Sequence, residues 1–369
     1  MRLLRTSAAI ACLSLCVWVC QSSAADLEQI LKKGRVPGLS YAVIRAGKVE
    51  TRALGVRDVS TGMPVGENTV FQAASLSKPV FAYAVLQLVD DGTLSLDTPL
   101  SNYVPDFVKD DPRAAAITAR NVLRQASGLP NWRSSTTPLK TYFPQGERFS
   151  YSGEAFIWLQ RVVEKITGQP LNDVVTRLVF DPLGMTHSSF LWRADFEADF
   201  AAPHDSKPAP GEKRHPPRAL SASTLHTTVA DYARFLQAVL SGARLEPETA
   251  KQWLDPQIRL RQHCIQCITA DQPDVDQHVA WGLGWGLEPD EGSFFHWGDN
   301  AQYKAFVIGS RSDQSALVVF TNGSNGMAIM PDIADQLMPG NRPAFAWLNY
   351  SRSSAGRSVL DWLRAGSHQ

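Results

Sequence analysis

Val70-Phe71-Gln72-Ala73-Ala74-Ser75-Leu76-Ser77-Lys78 leads into an apolar run from Pro79 to Val89, closed by Asp90-Asp91-Gly92. Thr69 to Ala73 has the composition of a short extended entry, and Ser75 stands where a buried helix opens. Pro79 fits only near the start of such a helix, where backbone N–H groups have no intrahelical partner to lose. Gly92 is a stop signal. Ser75 and Lys78 are three residues apart, so both side chains fall on one face of the first turn. A serine hydroxyl becomes a useful nucleophile when a neighbour takes its proton. A lysine in an apolar site can do this, because desolvation lowers its pKa. A helix N-terminus also turns N–H donors toward a developing oxyanion. The pattern is short and common, so by itself it suggests this chemistry without establishing it.

Outward from this stretch, Leu39 to Ile44, the turn Arg45-Ala46-Gly47-Lys48 and Val49 to Gly55 form a predicted β-hairpin. Leu27 to Lys33 before it is a predicted amphipathic helix. After the Ser75 helix, Leu94 to Leu100 is expected to be extended. Helices are expected at Ile117 to Arg124, Glu154 to Ile166, Leu171 to Val179 and Val229 to Ser241. Residues 131–150, 202–218 and 256–278 are expected as loops; the second carries five prolines. Ala280 to Leu287, Phe294 to Gly298, Tyr303 to Gly309 and Ala316 to Asn322 are strand-like, followed by predicted helices at Met327 to Leu337 and Ser358 to Leu363. Consecutive strands without intervening helices favour an antiparallel sheet. The economical α+β arrangement is one antiparallel sheet built from both chain ends and flanked by helices, with an all-helical lobe inserted. Ser75 then starts its helix at the junction of the two lobes, where clefts form.

The chain has 369 residues, 44% hydrophobic and 20% charged, which suits one large globular domain. Its formal net charge is 0, so nothing in the balance calls for nucleic acid. Arg2 and Arg5, the apolar stretch Ala8 to Cys20 and Ser22-Ser23-Ala24-Ala25 have the form of a secretory leader over residues 1–25, and no other stretch could cross a bilayer. The alternative is a retained N-terminal anchor. The expected organisation is therefore a leader and one catalytic domain over 26–369. Its sheet lobe covers about 26–100 and 275–369, and its helical lobe about 101–274. The expected location is periplasmic or secreted. Of five cysteines, three lie in the leader; Cys264 and Cys267 remain, and in an oxidising compartment they read as a local loop disulfide. A metal site would need more ligands than His263 and two thiolates.

Two further stretches have chemistry to offer. In Phe149-Ser150-Tyr151-Ser152-Gly153-Glu154 a tyrosine stands before a helix. Beside a lysine it can share a proton; alone it is as readily a residue packed at a helix cap. In Phe295-His296-Trp297-Gly298-Asp299-Asn300, Gly298 would let a substrate lie along the strand, and His296 could orient it or tune nearby protons. The plainer reading is a sheet-edge turn with a partly buried histidine.

These segments together resemble the serine β-lactamase and penicillin-binding protein superfamily, in its class C-like branch of β-lactamases, D-aminopeptidases, DD-peptidases and esterases. The resemblance is carried by Val36-Pro37-Gly38-Leu39-Ser40, Thr69-Val70-Phe71 with Ser75-Leu76-Ser77-Lys78, Ala126-Ser127-Gly128-Leu129-Pro130, Tyr151-Ser152-Gly153, Pro182-Leu183-Gly184-Met185-Thr186, Trp281-Gly282-Leu283-Gly284-Trp285 and His296-Trp297-Gly298, in order over roughly residues 34–325. It implies Ser75 as the acylated nucleophile, Lys78 as its proton partner and Tyr151 as shared base and acid. The N–H groups of Ser75 and Asp299 would form the oxyanion hole. No metal or organic cofactor is implied. The partner is a small-molecule or peptide substrate, with no nucleic acid and no membrane beyond the export signal. The family's second motif usually reads Tyr-x-Asn, and Gly153 replaces the Asn. Its third is Lys-Thr-Gly in penicillin-active members, and here it is His296-Trp297-Gly298. Trp132 and Trp297, near a site, would favour an apolar or aromatic substrate group. The expected activity is cleavage of a small ester or D-amino-acid amide or peptide, with a β-lactam second. The alternative is a catalytically silent relative that binds cell-wall peptides or a partner.

Overall fold

The structure, a computed structural model, describes residues 25–213 and 215–350. The expected leader up to Ala24 and the expected helix Ser358 to Leu363 lie outside them. Helix α1 covers residues 25–34. Strands β1 (Gly38–Arg45) and β2 (Lys48–Asp58) form the predicted hairpin, and β3 (Met63–Pro64) pairs with the end of β2. Among the described residues nine strands make one antiparallel sheet, ordered β3-β2-β1-β11-β10-β9-β8-β7-β6. Its later members are β6 (Ile258–Arg261), β7 (Val275–Trp281), β8 (Gly286–Glu288), β9 (Ser293–Asn300), β10 (Tyr303–Ser310) and β11 (Ser315–Thr321). β11 returns to pair with β1 from Leu39↔Thr321 to Arg45↔Ser315, which closes the two chain ends into one sheet.

The helices are α2 (Ser77–Asp90), α3 (Ala119–Leu123), α4 (Gly153–Thr167), α5 (Leu171–Val175), α6 (Asp181–Leu183), α7 (Val229–Ser241), α8 (Pro247–Leu254), α9 (Met330–Leu337) and α10 (Pro343–Trp347). From Ser77 to Leu88, α2 is buried at every position, as its all-round apolar sequence requires. It belongs to the larger of two cores, with α4, α5, α7 and the sheet residues Ala305, Val307, Val318 and Phe320. The opposite face of the sheet, with Phe306, Ile308, Leu317 and Val319, is covered by α1, α9 and α10. The alternation along β10 and β11 thus feeds two cores, as period-two side chains must.

Some expectations need correction. Leu94 to Leu100 is a run of bends with one bridge, Pro99 to Thr118, because Ser95, Asp97 and Pro99 interrupt the apolar residues. The stretch 256–278 contains β6 and the start of β7 as well as loop, so the sheet begins before residue 275. Ala280 to Leu287 is two strands, split at Gly282-Leu283-Gly284. Leu171 to Val179 continues through a wide turn at Thr176–Phe180 to Leu183.

A small second sheet matters most for position. β4 (Phe71–Gln72) pairs with β5 (His226–Thr227), and so ties the segment before Ser75 to the segment before α7. His226 is fully buried beside Trp192, Phe196 and Phe200. Burial pulls its pKa down to about 4, so the ring is neutral in the fold. The unfolded chain then binds a proton that the native state refuses. The stability this confers is present above the unfolded histidine value and lost as pH falls toward 4. Between pH 7 and pH 5, His226 should cost the fold about 2 kcal/mol. Urea unfolding at the two pH values should show His226→Leu losing less stability than the parent by about that amount. Equal losses would contradict a neutral buried ring.

Candidate active site

Ser75 lies in a single turn of 3-10 helix, Ala74–Leu76, that passes directly into α2. Ala74, immediately before it, has φ +52, a conformation that costs energy for any residue with a Cβ. The surroundings over-determine that turn. Ala73 N–H donates to Leu225 O at 2.8 Å, Ser77 Oγ donates to Ala74 O at 2.6 Å, and Tyr232 Oη donates to Leu76 O at 3.0 Å. Leu225 N–H in turn donates to Ser77 Oγ at 3.0 Å. The sequence gives no sign of the left-handed alanine, since glycine is the residue that marks such positions.

Lys78 is fully buried. Its Nζ donates to Ser75 Oγ at 3.2 Å and to Ala222 O at 2.8 Å. The amine also sits over the Tyr151 ring, 4.6 Å from its centroid, and 5.7 Å from that of Phe156. None of these neighbours carries a formal charge, and burial lowers the pKa of Lys78 well below the usual lysine value. Ala222 has no chemical character that a sequence reading could have singled out; its carbonyl acts through placement alone.

Tyr151 precedes α4, whose N-cap is Ser152. Its phenol is buried, and its hydroxyl has no hydrogen-bond partner among the described residues. Burial raises its pKa, while the nearby Ser75 hydroxyl lowers it in part. The Lys78 amine thus joins the two, at 3.2 Å from Ser75 Oγ and 4.6 Å from the Tyr151 ring centroid.

The ring of Tyr151 is walled by Trp281, Trp297 and His296, at centroid distances of 6.2, 5.2 and 6.2 Å. Trp297 is only 3% exposed and also packs on Trp347. It is a wall behind the phenol and offers substrate no open face. His296 is fully buried, its Nδ1 2.8 Å from Trp297 O, which makes Nδ1 the protonated nitrogen. Its Nε2 has no hydrogen-bond partner among the described residues. Burial, and then the Lys78 charge, pull its pKa down to about 3, so the ring stays neutral where a free histidine would titrate.

Gly298 brings β9 against the nucleophile turn. A Cβ there would lie 2.4 Å from Ala73 O and 3.3 Å from Ala74 Cβ. The glycine is needed for protein backbone to approach protein backbone, and the substrate contact expected from sequence is not what fills that space. Asp299 follows it, and its carboxylate takes the buried Lys304 ammonium at 2.5 Å. Asn300 donates from Nδ2 to Gln72 Oε1 at 3.0 Å and to Ser223 O at 3.1 Å, which ties β9 to β4 and to the 222–225 segment. Trp132 is 46% exposed and covers Gly153: a Cβ at 153 would fall 2.9 Å from its ring. Asn131 Oδ1 accepts the Gly153 N–H at 2.9 Å. The structure thus brings Ser75, Lys78, Tyr151, His296 and Gly298 together, sets Trp132 over Gly153, and buries Trp297 behind the phenol. Cys264 and Cys267 are joined in a disulfide with Cα atoms 5.6 Å apart.

The family model described as Beta-lactamase matches residues 24–338. The esterase EstB of Burkholderia gladioli is 34% identical over 52% of this chain and 56% of its own length. Penicillin-binding protein 4 of Amycolatopsis lactamdurans is 27% identical over 82% of this chain and 85% of its own. Protein flp of Staphylococcus aureus is 23% identical over 80% of this chain. The matched segments span 56% of EstB and 61% of flp, so a large part of each lies outside the comparison. Among solved structures, the octameric penicillin-binding protein homologue from Pyrococcus abyssi superposes with a TM-score of 0.74 at 20% identity, over 87% of this chain and 78% of its own. A class C β-lactamase gives 0.71 at 20% identity, over 87% of this chain and 97% of its own. With the sheet closed by both chain ends and the motifs in register along it, the chain belongs to the β-lactamase family of serine hydrolases.

Proposed function

We propose that this protein is an exported serine hydrolase that cleaves a small ester, with D-amino-acid amides or peptides second, through an acyl-Ser75 intermediate. The observation that carries the reading is the contact of Ser75 Oγ with a fully buried lysine amine that itself lies over the buried Tyr151 ring. With its pKa lowered by burial, Lys78 in its neutral form accepts the Ser75 proton as Oγ attacks the substrate carbonyl carbon. The carbonyl oxygen becomes an oxyanion, held by the N–H groups of Ser75 and Asp299. Tyr151 is a phenol at rest, since burial raises its pKa, so it serves as the acid that protonates the leaving alkoxide or amine. The Lys78 proton then replaces the one Tyr151 gave up. Water attacks the acyl carbon in the second half, and the proton path runs in reverse.

Two features support the ester preference. Trp132 occupies the space where the Cβ of a family-type asparagine at 153 would sit, so that amide-binding group is absent. His296 is a neutral ring where penicillin-active members hold a cation, so a substrate carboxylate has no charged partner there. The esterase EstB is consistent with this direction. The leader-like N-terminal sequence and the Cys264–Cys267 bridge support export.

A panel of p-nitrophenyl esters, D-amino-acid amides and a chromogenic cephalosporin should show esters turned over fastest, and Ser75→Ala should abolish turnover and the fluorophosphonate adduct that mass spectrometry maps to Ser75. A folded wild-type protein with neither adduct nor turnover would favour a silent peptide-binding relative instead. Lys78→Arg keeps a cation that never deprotonates and should lower kcat/KM by roughly three decades or more. The acid limb of kcat/KM for the parent reports deprotonation of Lys78. Activity should therefore persist well below the pH range of a free lysine and fall as pH drops through the lowered value. A limb at the free-lysine value would contradict the assignment.

A further inference from the structure

Three consecutive backbone amides fix Tyr151. Ser150 N–H donates to Gln125 O at 2.7 Å, and Ser152 N–H donates to the Gln125 side-chain Oε1 at 2.8 Å. Tyr151 N–H, between them, donates to Ile265 O at 2.8 Å. Ile265 is the first residue inside the Cys264-Ile265-Gln266-Cys267 ring, and its side chain is buried in the same core as Phe149 and Tyr151. The same ring is tied a second time to this segment, because Arg148 Nε donates to Cys267 O at 2.8 Å.

The ring belongs to residues 262–274, which join the edge strand β6 to its neighbour β7 and fold back onto the segment before α4. At their base Gln262 N–H donates to Asp274 O at 2.9 Å. A loop of this length at the edge of a sheet has many backbone conformations open to it. Closing a four-residue ring inside it removes most of that freedom at Ile265 and fixes the direction of its carbonyl. Gln125 holds the residues on either side of Tyr151 from the helical lobe. Only the bridged loop reaches the tyrosine's own amide among these bonds.

We infer that the Cys264–Cys267 disulfide is a positioning element for Tyr151: the bridged ring presents Ile265 O to the Tyr151 N–H and so sets where the phenol stands relative to Ser75. This rests on the hydrolase reading above for its effect on rate. Its structural half, the hold on the Tyr151 amide, does not. Reducing the bridge leaves two thiols and breaks no other covalent bond of the chain. The tyrosine then has a mobile acceptor at its backbone amide, and the place of its hydroxyl is left to the packing of the ring against Trp281, Trp297 and His296. Misplacement of a proton donor by about 1 Å lowers rate far more than it lowers substrate affinity.

The test is reduction of the folded, full-length protein with a water-soluble phosphine, which becomes the phosphine oxide with oxygen drawn from water as the two thiols appear. Thiol titration confirms the cleavage, circular dichroism follows the fold, and hydrogen exchange is read on peptides covering residues 149–153. Expected are a fall in kcat on a p-nitrophenyl ester of about tenfold or more with KM little changed, a shift in the basic limb of the pH–rate profile, and faster exchange at the Tyr151 amide. The Cys264→Ser, Cys267→Ser double variant should match the reduced parent and ignore the phosphine. Two free thiols with unchanged kcat, pH profile and amide exchange would overturn the inference. So would loss of the whole fold on reduction, which would make the bridge a support for the domain and not for one residue. If the parent shows neither ester turnover nor a Ser75 adduct, the hydrolase reading fails by itself, and the exchange at Tyr151 still decides the structural half.

Discussion

The chemistry of this protein depends on taking one amine out of water. Lys78 is fully buried with Ala222 O, the Ser75 hydroxyl and two aromatic faces as its neighbours. An ammonium in that setting is costly, so the neutral form is favoured and becomes a base beside a hydroxyl. Removing the same lysine to solvent would leave an ordinary serine on a helix start. Much of the surrounding structure serves this burial. α2 is enclosed on every side, and the 222–225 segment and Tyr232 clamp the turn that precedes it.

The same constraint explains why the site is assembled from distant parts of the chain. A buried amine needs walls, and no single element supplies them. β9 closes one side through a glycine that lets backbone meet backbone at Ala73. The segment before α4 closes another with Tyr151, itself packed on Trp281 and Trp297. Asn300 then links β9 to β4 and to Ser223, which ties the strand to the segments on either side of the nucleophile turn. Such locking is what allows Ala74 to remain in a left-handed conformation next to the reactive serine. The buried Asp299–Lys304 pair completes this side of the site, with both charges satisfied within the sheet.

Much of this was legible in the sequence where local rules govern. The hairpin around Gly47, α4 between Ser152 and Gly168, and α7 ending at Gly242 follow from alternation, caps and stops, and they form where those signals stand. The closure of β1 on β11 follows from strands at both ends of the chain with helices between. Other features were not legible. β6 is a short edge strand in a polar stretch, and only pairing with β7 makes it a strand. Trp297 reads as a substrate-facing aromatic, but pleat parity and the cover of Trp347 turn it inward. Gly298 reads as space for a ligand, and protein backbone fills it. Ala222 and Ile265 contribute carbonyl groups, which every residue possesses, so composition could not mark them.

The most direct test of the central claim is the protonation state of the Lys78 amine itself. In Ser75→Ala protein carrying isotopically labelled lysine, the Lys78 resonance can be followed by NMR across pH, with Lys78→Met identifying the signal. The account predicts a resonance already in the neutral-amine position in a range where the surface lysines remain charged. An amine that titrates with the surface lysines would contradict it, and would leave Ser75 without a base.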